Sequence, residues 1–440
     1  MNDGPPPVTV CVPVWNGAAF VADTLACIAR QSFADFRVLV SLDRGDDGSE
    51  AICRRFLADR RFELVVQPNR LGWVGNVNFL IGRVTTEFFC ITPHDDLLHR
   101  DYLARVFGLA AGDPAISTAY SDIATFGDDH VHIVQPEVRG DRLHRLLDVL
   151  LNHGDSVAFR GLVRRRGPDD RPLLPTGLVG DFAADTVWLV DLAARGELRR
   201  VPGGFYRKRL HGGSAHAAWE RWPIARRRSA WIDQAARMAI AAAGWVDGED
   251  ERGLVAAAAM MRLMGLGAVA RPPFAATRVE QGHEVAAFAA RIHPLAVPER
   301  PTTLAEDARA APLSAARLLE TARRKAGEGA AAEAITEAAR AQAADPLGGH
   351  APAFRLRLLV RAAKDALARG EPAAARAPAA AALRIDPDDY HAALLQAELL
   401  AFDGDVAAAL AVLRGLDARW PGTRPVAQRI ARFTAPGASH

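Results

Sequence analysis

The chain has 440 residues, half of them apolar, which is long enough for two or three globular domains with sizeable cores. Its 54 basic and 52 acidic residues leave a net charge of +2, so nothing pulls it generally toward nucleic acid and local clusters must carry any electrostatic argument. Four cysteines without CxxC spacing read as reduced core residues and fit a cytoplasmic location; no basic-then-apolar leader and no apolar run of membrane-spanning length occurs, so secretion and membrane spanning are not expected.

Residues 8–14, VTVCVPV, predict a buried strand, followed by a Trp15-Asn16-Gly17 turn and a helix over 18–30 with Phe20, Leu25 and Ile28 near one face. A second strand over 37–42 ends at Asp43, and the Gly- and Asp-rich 44–48 is a loop before a helix over 49–58. A third strand, 63–67, leads through Pro68, Asn69, Arg70, Leu71 and Gly72 into a helix carrying Trp73, Val77 and Leu80. A fourth, 87–92, runs out at His94, Asp95 and Asp96. Strands alternating with helices imply an α/β fold with a mostly parallel, doubly wound sheet, because parallel neighbours need right-handed crossovers. Ligands of such sheets bind at the carboxyl ends of the strands, where Asn16, Asp43, Asn69, Arg70, Asp95 and Asp96 gather on one rim.

Two carboxylates about 4 Å apart repel by roughly 4 kcal/mol at an effective dielectric near 20, so Asp95 and Asp96 need bulk water or a cation. The plainer alternative is that Asp95 caps a helix over 97–108. The first turn is PVWNG and not GxGxxG, which disfavours a dinucleotide enzyme. A carboxylate rim holds phosphate through a divalent cation, Mg²⁺ or Mn²⁺, and that points to a nucleoside diphosphate.

From residue 8 to about 214 the sequence resembles a family 2 glycosyltransferase with the GT-A nucleotide-diphospho-sugar fold, a Rossmann-like sheet. The carrying stretches are VTVCVPVWNGAAFVADTLACIARQSFADFRVLVSLD and NRLGWVGNVNFLIGRVTTEFFCITPHDDLLHRDYL. The resemblance implies that Pro13, Trp15, Asn16, Asp43, Asn69, Gly72, Asn76, Asp95, Arg207 and Arg209 bind the nucleotide-sugar, with Trp15 and Asp43 in the nucleoside pocket. It also implies a divalent cation on Asp95, Asp96 and His211. The family's first acidic position is Pro93 here, giving PHDD in place of DADD.

Further on, the pattern is mixed: a strand is expected at 116–120, an apolar segment lies at 131–134, and an amphipathic helix is expected at 142–152. Arg164, Arg165 and Arg166 are either an attractor for an acidic acceptor or a solvated turn. GDFAAD then leads into a helix, TVWLVDLAARG, whose terminal Gly196 reads as a C-terminal glycine. By resemblance Asp185 is the catalytic base, with Ala184 where the family has Glu; Asp181 competes for the role. FYRKRLHGGS resembles the family's YRxRxHxGS, and on an extended chain Arg207, Arg209 and His211 share a face.

Residues 216–270 read as wholly helical, their tryptophans and arginines serving either a peripheral membrane contact or packing against the first domain, and 271–303 as a Pro-rich linker. From 304 the composition turns to Ala, Arg and Leu, and Gly370 recurs as Gly404 and Pro387 as Pro421, each 34 positions on. That period resembles tetratricopeptide helix pairs. The expected domains are thus 1–215 catalytic, 216–303 helical extension and linker, and 304–440 an all-α repeat region that binds a protein partner or the acceptor. The function expected is inverting glycosyl transfer to a glycan, lipid-linked or protein acceptor; the rival is a non-catalytic scaffold with a degenerate transferase domain.

Overall fold

The computed structural model describes residues 6–154, 156–265, 278–295 and 308–434. The chain divides into two compact units, Met1–Val201 with Phe205–Leu313, and Pro202–Gly204 with Ser314–His440.

In the first unit, strands and helices alternate as β1 (Val8–Val14), α1 (Val21–Ala29), β2 (Phe36–Leu42), α2 (Ser49–Arg54), β3 (Phe62–Val66), α3 (Gly72–Arg83) and β4 (Phe88–Ile91). There follow β5 (Leu97–Leu98), α4 (Tyr102–Ala111), β6 (Ile116–Gly127), β7 (His132–Ile133), α5 (Arg142–Asn152), β8 (Leu162–Arg164), α6 (Ala184–Arg195) and β9 (Glu197–Leu210). The sheet order is β3-β2-β1-β4-β8-β6-β9-β5, with β7 on β6. The first four strands are parallel, as their crossover helices require; β8 is antiparallel to β4 and β6, and β6 runs parallel to β9. The sheet is therefore mixed, which the continuous apolar runs alone did not reveal. β1 sits between β2 and β4 with every residue but Pro13 fully buried, so it reads as an unbroken apolar run. Pro13 lies past the last β4 pair, Cys11 with Ile91, where its missing N–H removes no ladder bond on that side.

Residues 97 and 98 are not helical: they pair with Arg207 and Tyr206 of β9, and α4 begins only at Tyr102. Asp95 thus caps no helix. Gly196 ends α6 with φ 175°, an extended and not a left-handed residue; a Cβ there would lie 2.4 Å from the Ala115 carbonyl, so close backbone approach is what demands glycine. Residues beyond 214 break into α7 (Ala215–Glu220), α8 (Ile224–Ala243) and α9 (Glu249–Leu263), and the segment expected as linker contains α10 (Arg278–Ile292), the residues on either side lying outside the described ones. Helices α8 and α9 pack on α6 and α5, and Phe182 sits among Trp219, Trp222 and Trp231 with ring centroids 5.1, 6.2 and 5.4 Å away. Three of the tryptophans thus take part in packing around Phe182. The guanidinium groups of Arg164, Arg165 and Arg166 are likewise spent on structure, bonding Glu87, the Thr86 carbonyl and the Arg195 carbonyl among others.

The second unit holds α11 (Ala311–Gly327) from Ser314 on, then α12 (Ala331–Ala344), α13 (His350–Ala368), α14 (Pro372–Ile385), α15 (Tyr390–Phe402), α16 (Val406–Arg419) and α17 (Arg424–Thr434). Gly329, Gly370 and Gly404, all at positive φ, turn α11 into α12, α13 into α14 and α15 into α16. The result is successive helical hairpins. Small alanines let α13, α14 and α15 approach closely around Leu356, Leu359, Leu395 and Leu399. Among the described residues no helix is long and apolar enough to cross a membrane.

Candidate active site

The rim is built from the turns that follow β1, β2, β3 and β4. After β4, residues 93–96 form a tight turn, Asp96 N–H donating to the Pro93 carbonyl at 3.2 Å. The Thr24 hydroxyl of α1 lies 2.8 Å from both the His94 and Asp96 carbonyls and fixes that turn to the helix. His94 Nδ1 is 3.3 Å from the Pro13 carbonyl, and a Cβ on Gly17 would come within 2.5 Å of the His94 ring. Glycine at 17 is what lets the first turn close on the fourth.

The two aspartates diverge. Asp95, partly exposed, holds Oδ2 2.9 Å from His211 Nε2. Asp96 is 1% exposed, and its carboxylate accepts from the Tyr206 hydroxyl (2.8 Å), the Arg209 backbone N–H (2.9 Å) and Arg160 Nε (3.2 Å). Burial pushes the Asp96 carboxyl up and Asp95 adds to the push, while Arg160, the Arg209 amide and Tyr206 oppose it. Asp96 is therefore corrected from metal ligand to interior anchor: its oxygens are enclosed and already taken. The pair left for a cation is Asp95 with His211, and among the described residues no third carboxylate, imidazole or thiolate joins it. That donor set fits a hard or borderline divalent ion only if pyrophosphate oxygens and water complete the shell, which is how Mg²⁺ and Mn²⁺ are usually held with phosphates.

On β9, Arg207 and Arg209 both lie over the Phe126 ring, at 5.2 and 4.5 Å, and Arg209 and His211 both meet Phe20. The alternation along the strand brings the three to one side. Arg209 Nε also donates to the Asp95 carbonyl at 3.0 Å.

In the turn after β1, Trp15 is 40% exposed and the Arg70 guanidinium stacks over it at 3.5 Å. Asn16 adopts φ 46° in the turn, and Asn69 is exposed in the loop before α3. Two expected binders are turned to internal tasks. Asp43, 1% exposed, spends both oxygens on the backbone N–H groups of Leu71 (2.6 Å) and Gly72 (3.0 Å), so it clasps the loop and shapes the rim indirectly. Asn76 is buried on α3 with its amide on the Ser41 hydroxyl and carbonyl, away from the rim.

Asp185 stands in the first turn of α6, half-buried, its Oδ1 accepting the Thr186 N–H at 3.0 Å. The entry to this helix is strained: Gly180, Asp181 and Ala183 all have positive φ, held by Phe182 among the tryptophans. Asp181 caps nothing with its side chain, and burial raises its carboxyl. Thr186 is tied by its hydroxyl to Ser156 at 2.6 Å, the start of a turn over 157–160 that delivers Arg160 to Asp96. Arg160 and Tyr206 were missed from the sequence. The available signal was a lone cation in the apolar run VAFRGLV, since a buried charge must have a partner.

Residues 9–166 match the family model described as "Glycosyl transferase family 2". The amylovoran biosynthesis glycosyltransferase AmsB of Erwinia amylovora is 26% identical over 104 residues, 23% of this chain and 35% of that relative, so the match spans about a third of the relative's length. Among solved structures, TarS 1-349 of S. aureus in complex with UDP-GlcNAc aligns with a TM-score of 0.51 at 15% identity, over 67% of this chain and 82% of that one. A longer S. aureus TarS structure gives 0.49 at 15% identity over 67% and 49% of the two chains. At 15% identity, the likeness to the complex with a TM-score of 0.51 establishes a GT-A-like fold and no more.

Proposed function

Taking residues 9–166 as a glycosyl transferase family 2 domain, we propose that the protein is an inverting glycosyltransferase that moves a sugar from a nucleotide-diphospho-sugar to an acceptor hydroxyl. The observation that carries this reading is the pairing of Asp95 with His211 beside Arg209, linked through Asp96 and Arg160 to the turn that holds the start of α6. In this reading Trp15 offers the base a stacking face in the nucleoside pocket. Asp185 takes the proton of the acceptor hydroxyl, helped by its place at a helix start, where the macrodipole favours a carboxylate. The hydroxyl oxygen attacks the anomeric carbon from the side opposite the diphosphate, which inverts that centre. Arg207 and Arg209 put positive charge where the departing diphosphate develops its own. A divalent cation, when held by Asp95 and His211, supplies further charge against that leaving group.

Uridine diphosphate sugars are the first donors to try, given the ligand in the TarS complex. The hairpins of the second unit, with Gly370 and Gly404 34 positions apart, support a tetratricopeptide-like partner-binding role for it. The decisive experiment is Asp185→Asn with two readouts. Transfer and slow donor hydrolysis should fall by about 1,000-fold, the scale of a lost general base, while calorimetric binding of UDP or GDP in Mn²⁺ stays within about twofold, as removing an interaction made only in the transition state requires. Loss of both, or of neither, overturns the assignment.

A further inference from the structure

Arg160 is an unusual arginine for its surroundings. It closes the turn 157–160 between two apolar segments, with its side chain only 13% exposed. Tyr102 donates its hydroxyl to the Arg160 carbonyl, and the guanidinium lies beside the rings of Phe159 and Tyr206, 5.6 and 5.8 Å from their centroids. Burial works against its charge, but Asp96, Tyr206 and Asp185 outweigh burial and keep it a cation.

A guanidinium carries five N–H donors in a fixed fork. Only Nε is used, on Asp96 at 3.2 Å; among the described residues the four N–H groups of the terminal nitrogens meet no protein acceptor. Those nitrogens are also absent from the enclosed, unsatisfied polar atoms, so some solvent reaches them. Asp185 acts on this cation through space, yet the two make no hydrogen bond or ion pair among the described residues. The fork and the carboxylate are thus neighbours on the same side of the turn that Ser156 ties to the start of α6, with neither spent on the other. The turn is also braced against the base: Ser156, at φ 48°, bonds the Thr186 hydroxyl, and Thr186 N–H holds the Asp185 carboxylate.

We propose that Arg160 is a catalytic residue of this reaction, whose terminal N–H groups hold the nucleophilic oxygen while Asp185 removes that oxygen's proton. The inference rests on the glycosyltransferase reading above and deepens it. The O–H proton passes to the Asp185 carboxylate, the oxygen forms its bond to the anomeric carbon, and the bond from that carbon to the phosphate oxygen breaks. Its electron pair leaves with the nucleoside diphosphate. Negative charge that builds on the attacking oxygen meets a cation fixed in advance by Asp96, which is electrostatic preorganisation. Asp96 then serves by aiming Arg160.

Water can stand in for the acceptor, so the test needs no acceptor identity. Wild type, Arg160→Lys, Arg160→Ala, Asp185→Asn and the Asp185→Asn/Arg160→Ala double variant are assayed for diphosphate release from UDP-N-acetylglucosamine, UDP-glucose and GDP-mannose in Mn²⁺. Arg160→Ala should lower kcat by about 100-fold with donor KM nearly unchanged, as loss of a preorganised donor does. Arg160→Lys should lower it by about 10-fold, since an ammonium lacks the planar fork. Added guanidinium should restore part of the Ala variant's rate and none of the Asp185→Asn variant's. The double variant should be no slower than the worse single, because both groups act on one oxygen. Thermal melts accompany each variant; should Arg160→Ala unfold by orphaning Asp96, the Lys variant, which keeps a cation there, carries the decision. A raised KM with unchanged kcat, or losses that multiply in the double variant, overturns the proposal by making Arg160 a donor-gripping or remote group. A wild type inert toward every donor sinks the glycosyltransferase reading itself, and this one with it.

Discussion

Adjacent carboxylates at the rim have different work because β9, not their own turn, decides which way each faces. Pairing of Leu97 with Arg207 and Leu98 with Tyr206 brings the Tyr206 hydroxyl and the Arg209 N–H onto Asp96 and leaves Asp95 to His211. Asp96→Asn replaces one acceptor oxygen with a donor that faces either Arg160 and Tyr206 together or the Arg209 N–H. The unfolding free energy in urea should fall by about 3–5 kcal/mol, the usual cost of breaking a buried pair, whereas Asp95→Asn should cost under about 1 kcal/mol and instead weaken Mn²⁺-linked nucleotide binding. The acidic doublet was legible in PHDD; its division of labour was not, because the partners lie 64 to 116 residues away. His153 illustrates a buried group with a determinate tautomer. Gln135 Oε1 accepts from Val157 N–H, so its amide nitrogen donates to His153 Nδ1 at 2.6 Å, and that nitrogen must be unprotonated. Burial, with Arg262 adding to it, pushes the imidazole from 6.5 down to about 3. The folded state therefore prefers the neutral ring: its stabilisation is complete above pH 6.5 and is lost as pH falls from there toward 3. Between pH 7 and 5 the unfolding free energy should drop by about 2 kcal/mol on this account, and His153→Gln should flatten that slope.

At the level of elements, the period of the apolar residues located β1 and α5 to the residue, because both bury a complete face. It failed where pairing and not patterning sets the ends. β6 runs to Gly127 and β9 to Leu210, since each finds the other along its length, though charged residues interrupt both as sequences. Gly196 marks the same boundary between local and tertiary causes. As a helix terminator it would prefer positive φ; at φ 175° any residue is tolerated by the backbone, and what forbids a side chain is close approach, above all of the Ala115 carbonyl, 2.4 Å from a would-be Cβ, with the Ser117 N at 3.0 Å. Gly196→Ala should thus cost about 1–3 kcal/mol by overpacking, read as a lowered urea midpoint at unchanged slope. A value near zero would mean that β6 gives way easily.

For the whole molecule, the composition shift near residue 304 is the outward sign of a change in how cores are made, from branched residues on a sheet to alanine-spaced leucines between helices. The 34-residue recurrence was legible because Gly370 and Gly404 occupy equivalent left-handed turns, and the 41-residue step from Gly329 to Gly370 hid the first hairpin from a fixed-period search. In the second unit, clusters around Leu319 and Ala341 and around Leu359, Leu395 and Leu399 pass from helix to helix, and α17 closes the far end with Val426 and Phe433 buried. Each hairpin thus buries its apolar face on its neighbour, the condition for stability to arise from nearest-neighbour interfaces. A fragment of residues 308–440 should accordingly fold alone, with helical circular dichroism and one cooperative thermal transition. Leu395→Ala, in the middle of the larger cluster, should weaken it by about 2–5 kcal/mol, as core leucine truncations do, and lower that transition accordingly. A fragment that melts without cooperativity would show that the hairpins depend on residues before 308 for their order.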